Sequence, residues 1–173
     1  MDEAIRALLS NFTVTLLVLG LVVAAIAIFR HPSPRTPALV YDALLRWFLF
    51  FSIGVSMSYN FVMHVFFGAM TAGFIGWADS PFQAEVGWAS LGFAAVGFLG
   101  FRGGFEMRLA ALVGPAGFLW GAGLGHVYQI VTTRNMAPGN AGTILYTDFL
   151  LPAIGFALLL LARRAGPPAA RPA

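Results

Sequence analysis

Four ionisable side chains, His64, Glu85, His126 and Asp148, sit within or at the edge of otherwise apolar stretches of this chain. Imidazole and carboxylate are the groups that bind zinc, iron or manganese, and an incomplete ligand set leaves a reactive position on the metal. The same groups can pass protons, because histidine titrates near neutrality and a carboxyl group responds strongly to its surroundings. His64 and His126 could instead ligate the two faces of a b-type haem, which needs no attachment motif. A plainer reading is that all four lie close enough to water to be tolerated.

Spacing decides whether these groups can meet. A crossing of the hydrocarbon core, about 30 Å thick, takes about 20 helical residues. Counted in that way, His64 lies about a turn below the end of one apolar run and His126 about a turn below the end of another. Glu85 and Asp148 enter the runs that follow, each from the same side and about a turn deep. If their helices face one another, the spacing predicts one layer of two imidazoles and two carboxylates, and His64, Glu85, His126 and Asp148 are the candidate ligands should it hold a divalent metal. Asn60, Gln83, Gln129 and Asn140 are the expected supporting groups.

The elements that must position them are membrane spans. Of 173 residues, 59% are hydrophobic and 10% charged, too apolar for a water-soluble domain of this size. Uncharged runs place five spans at about residues 7–29, 47–67, 81–101, 109–131 and 143–162, in one all-α transmembrane domain covering residues 1–165. The segment Arg30-His31-Pro32-Ser33-Pro34 cannot continue a helix and ends the first span. Residues 68–78, rich in glycine and small side chains, read as an interfacial or re-entrant piece. Residues 166–173 form a Pro/Ala tail that is expected to be disordered.

Arginine placement orients the bundle, since basic residues are retained on the cytoplasmic side. Arg30, Arg35 and Arg46, then Arg102 and Arg108, then Arg163, Arg164 and Arg171 alternate with the opposite ends, where only Arg6 and Arg134 fall. This predicts the N-terminus outside and the C-terminus inside. Ala25-Ile26-Ala27 has the small residues of a cleavage site, but the leading acids Asp2 and Glu3 and a long apolar run argue against a signal peptide. The absence of cysteine excludes disulfide frameworks, thiolate metal sites and iron–sulfur clusters. The net charge of +3 comes from loop arginines and does not indicate a nucleic-acid partner; the lipid bilayer and a larger membrane complex are the partners expected.

Local patterns add detail. Ser52, Ser56, Asn60 and His64 recur every four residues and share a helix face that should point inward or toward water. Gly117, Gly121 and Gly125 strip one face of the fourth span and predict a close helix-packing seam. Ser80-Pro81-Phe82-Gln83 reads as a helix start, with Ser80 as N-cap and Gln83 closing a capping box. His31, among proline and arginine, is given no role.

The stretch Gly76-Trp77-Ala78-Asp79-Ser80-Pro81-Phe82-Gln83-Ala84-Glu85-Val86-Gly87, with Gly125-His126 and Pro138-Gly139-Asn140-Ala141-Gly142, resembles a family of uncharacterised small multi-span proteins of the bacterial inner membrane. The resemblance implies a bacterial cytoplasmic-membrane location and brings no established activity or catalytic residues. The leading functional expectation is an accessory subunit holding a polar site near the outer leaflet. A proton or small-solute carrier and a membrane oxidoreductase using haem, metal or quinone are the alternatives.

Overall fold

The computed structural model describes residues 2–32 and 34–167. They form helices joined by short connections: α1 (Asp2–Ser10), α2 (Phe12–Phe29), α3 (Pro37–Phe48), α4 (Ser56–Phe66), α5 (Gly68–Ile75), α6 (Phe82–Arg102), α7 (Phe105–Thr133), α8 (Pro138–Ala141) and α9 (Thr143–Ala165). A stretch of π-helix, Leu49–Val55, joins α3 to α4, so helical backbone runs unbroken from Pro37 to Phe66. Five helical stretches, 12–29, 37–66, 82–102, 105–133 and 138–165, are long and apolar enough to cross a membrane. Large apolar side chains such as Val22, Phe29, Leu99, Leu124 and Leu150 are exposed, as suits a surface solvated by lipid. Of the expected tail, residues 168–173 lie outside the described residues; Gly166 and Pro167 are non-helical.

The second helical stretch starts ahead of the uncharged run, and the reason is charge pairing. Asp42 and Arg46 both lie inside α3, and Arg108 reaches across from α7 to place Nη1 2.8 Å from Asp42 Oδ1. Arg46 lies 3.5 Å from the other carboxylate oxygen of Asp42 and donates through Nε to the carbonyl of Phe101 at 3.1 Å. Neutralised this way, the charges do not end the helix. Thr36 caps it by accepting from the Leu39 amide, with Pro37 at the first position.

The first apolar run, by contrast, is broken at Asn11. Its side-chain amide donates to the Ala7 carbonyl at 2.8 Å, and its oxygen accepts from the Thr143 hydroxyl. Two residues on, the Thr13 and Thr147 hydroxyls meet at 3.0 Å. These polar contacts pin the start of α2 to α9 and set α1 off as a separate short helix.

Glycine allows the closest helix approach. A methyl group on Gly97 of α6 would fall 2.6 Å from the backbone nitrogen of Gly54 in the π segment, and one on Gly87 would meet the Phe61 carbonyl and Val65. The α4–α6 contact is thus backbone against backbone, the arrangement that drives helix association in lipid. The seam expected at Gly117, Gly121 and Gly125 does not form within the chain: a Cβ at any of them would meet nothing within 4 Å. In its place, Gly123, on another face of α7, packs against Phe149 and Asp148 of α9.

At one end of the bundle α3, the π segment, α7 and α9 converge on a buried core of Leu45, Phe48, Leu49, Ile53, Leu112 and Leu159. Toward the other end α4 packs chiefly on α6, and α7 on α9. The two pairs are helical hairpins with a short helix, α5 or α8, in each turn. Those turns are tied together where Asn135 donates to the Ile75 carbonyl at 3.0 Å and Gly139 lies against Phe74.

Candidate functional site: a cavity between two hairpins

Between the hairpins lies a cavity of about 920 Å³. Its walls are mostly apolar, from Phe12, Met57, Met63, Phe74, Phe118 and Leu151 among others, with a polar group of Asn60, His64, Gln83, His126 and Asp148. That composition matches small-molecule sites, which are largely hydrophobic with a few placed polar groups.

Each hairpin supplies one histidine by the same device. His64, near the end of α4, sets Nδ1 2.7 Å from Oε1 of Gln83 at the start of α6. His126, near the end of α7, sets Nδ1 2.8 Å from Oδ1 of Asn140 in α8. The orientation of the second amide is fixed by its other bonds: Asn140 Nδ2 donates to the Asn135 carbonyl at 2.9 Å and the His126 carbonyl at 3.3 Å. Its oxygen must therefore face the ring, so His126 Nδ1 carries a proton and donates. In the neutral ring this leaves Nε2 as a bare lone pair, the usual arrangement when a histidine is prepared to accept a proton or bind a ligand. Asn140 has no exposed surface at all, and the Trp77 ring lies over His126 at a centroid distance of 5.9 Å.

Asp148 completes this wall. Its Oδ2 lies 3.6 Å from His126 Nε2, beyond hydrogen-bond length, and is buried without a hydrogen-bond partner among the described residues. A carboxylate left so is expensive unless it gains a proton, a cation or a donor.

His64, His126 and Asp148 therefore line one cavity with Asn60 and Gln83, Asn140 bonds to His126, and Glu85 and Gln129 lie outside it. Glu85 is exposed, on a face of α6 that does not line the cavity. Two residues earlier, Gln83 is buried and points inward, and the helical rotation between them separates the two side chains. Gln129 is likewise away from the cavity and accepts from Thr133 through its side-chain oxygen at 3.1 Å. The expected four-residue metal set is thus not assembled, and no group of three or more His, Asp or Glu side chains placed to hold a metal ion occurs among the described residues.

The capping box also fails to form: helix α6 begins at Phe82 with no side-chain cap, and the Gln83 side chain goes to His64. The inward stripe on the second stretch does form. Ser52, Ser56 and His64 are buried, and Asn60 donates to Ser90 of α6 at 2.9 Å. Ser56, Asn60 and His64 line the cavity, while Ser52 Oγ lies buried without a hydrogen-bond partner among the described residues.

Sequence reasoning missed Trp77 as a cavity residue, because an aromatic near a span end reads equally well as an interfacial anchor. For Gly117 and Gly121 it favoured a packing seam over a glycine-lined passage, whereas their bare face is turned to open space and lines the cavity.

Over residues 10–168 the chain matches the model of a family of unknown function (DUF6790), and it belongs to that family. No curated protein and no solved structure matches it.

Proposed function

We propose that this is a multi-pass protein of the bacterial cytoplasmic membrane that holds a lipophilic small molecule between its two hairpins, polar end against His64, His126 and Asp148. The observation that carries this reading is the pair of His–amide contacts, one on each hairpin, beside a large, mostly apolar cavity. Buried polar side chains in lipid are costly and usually belong to functional sites. Here the amides hold both rings through Nδ1, which leaves Nε2 of each as the nitrogen free for a ligand. In the orientation given by the arginines, the cavity lies toward the outer leaflet.

The test is organic extraction of the full-length protein purified in mild detergent, followed by mass spectrometry. A single lipophile enriched over bulk lipid is expected, and its loss is expected in Gly121→Leu. Residue 121 has open space around it, so the new side chain should obstruct the cavity without disturbing the fold. No enrichment over bulk lipid would overturn the reading. So would a haem absorption band or stoichiometric metal dependent on His64 and His126, since either would assign the rings to a cofactor.

The carrier reading rests on the row Ser56, Asn60 and His64 along one cavity wall. Against it, the packed layer of Leu49, Ile53 and Leu112 closes the interior beneath that row.

A further inference from the structure

Resting on that reading, we infer that the polar end of the bound molecule is a hydroxyl group, donated to the pair formed by His126 Nε2 and Asp148 Oδ2. At 3.6 Å the two atoms are beyond hydrogen-bond length of each other. Nδ1 of His126 is committed to Asn140, whose amide hydrogens are both taken by backbone carbonyls. The neutral ring therefore offers only a lone pair through Nε2. As a carboxylate, Asp148 Oδ2 is an acceptor, 3.6 Å away and without a hydrogen-bond partner among the described residues. Two acceptors facing each other call for a donor beside them.

Both groups are almost fully buried, with side-chain exposures of 6% for His126 and 4% for Asp148, and both line the cavity. His64 presents a second imidazole in the same cavity, held through Nδ1 in the same way. An ether or ester of otherwise identical shape brings only further lone pairs, so the wall discriminates by donor. A site built to hydrogen-bond a substrate hydroxyl rejects an analogue that lacks it far more strongly than an apolar pocket rejects a missing methylene. The apolar remainder of the cavity then takes the hydrocarbon part.

The full-length protein in lipid nanodiscs, incubated with 4-nonylphenol or with its methyl ether 4-nonylanisole, tests this by native mass spectrometry. The phenol is expected to occupy the protein at concentrations at least about tenfold lower than the ether, the scale of one buried donor matched against none. In Asp148→Asn and His126→Ala, checked for unchanged helix content and size, the difference should shrink to within about twofold. Equal binding of phenol and ether to the unaltered protein would overturn the hydroxyl assignment and leave the lipophile reading standing. Binding of neither would overturn both. Because the central comparison uses only the unaltered protein, it holds even if a variant fails to fold.

Discussion

Asn140 is the residue on which the local arrangement turns. It sits in a helix of only four residues, yet it is fully buried and bonded to His126 at both side chain and backbone and to Asn135. Asn140→Ala removes three hydrogen bonds and leaves buried partners unsatisfied, so a loss of about 2–4 kcal/mol is expected. A lowered midpoint for thermal unfolding in detergent would register it, and an unchanged midpoint would contradict the bonding described. Glu85→Gln, by contrast, should change neither ligand retention nor stability by more than about 0.5 kcal/mol, because Glu85 is exposed and outside the cavity. These roles were only partly legible in the sequence. Depth counting selected His64, His126 and Asp148, but it could not tell that Glu85 and Gln83, two positions apart at one helix start, face opposite ways. That depends on how α6 is rotated, which its contacts with α4 decide.

At the scale of elements, the close approach of α6 to α4 and to the π segment holds the first hairpin together. Adding one methyl at Gly97 would place it against the backbone of Gly54, which has no side chain to move aside. Gly97→Ala should destabilise the protein by about 3 kcal/mol. Gly92→Ala, on the same helix but with nothing within 4 Å, should be neutral or stabilising by up to about 1 kcal/mol. Comparing the two by thermal unfolding isolates packing from helix propensity. If both behave alike, the backbone approach at Gly54 is wrong. A four-residue glycine spacing in a sequence says that a face is bare; it does not say whether a helix or a cavity lies against it. On α7 it is open space, with Gly117 and Gly121 lining the cavity.

For the whole molecule, the two helix pairs meet at a buried apolar core at one end and enclose the cavity toward the other. The proposed topology puts the cavity end outside. Because the chain contains no cysteine, single introduced cysteines report it cleanly. In cells, Asp79→Cys should react with a membrane-impermeant maleimide without permeabilisation, and Glu106→Cys only after it; the reverse pattern would invert the orientation. Both positions are exposed, so labelling does not require the fold to open.

Composition and the length of apolar runs determined that the chain is all-α with five stretches able to cross a membrane, because hydrocarbon admits a long apolar segment only with its backbone bonds satisfied internally. The same rule limited how deep an ionisable group could sit, which pointed to His64, His126 and Asp148, all three of which line the cavity. Tertiary structure alone decided the rest: that Asp42, Arg46 and Arg108 neutralise one another and let a helix begin early, that Gln83 turns inward to His64 instead of capping, and that Asn140 holds His126 from the following hairpin turn. Each of these depends on the rotation and approach of separate helices. Hydrophobic length does not fix either quantity, because lipid solvates any apolar face equally well.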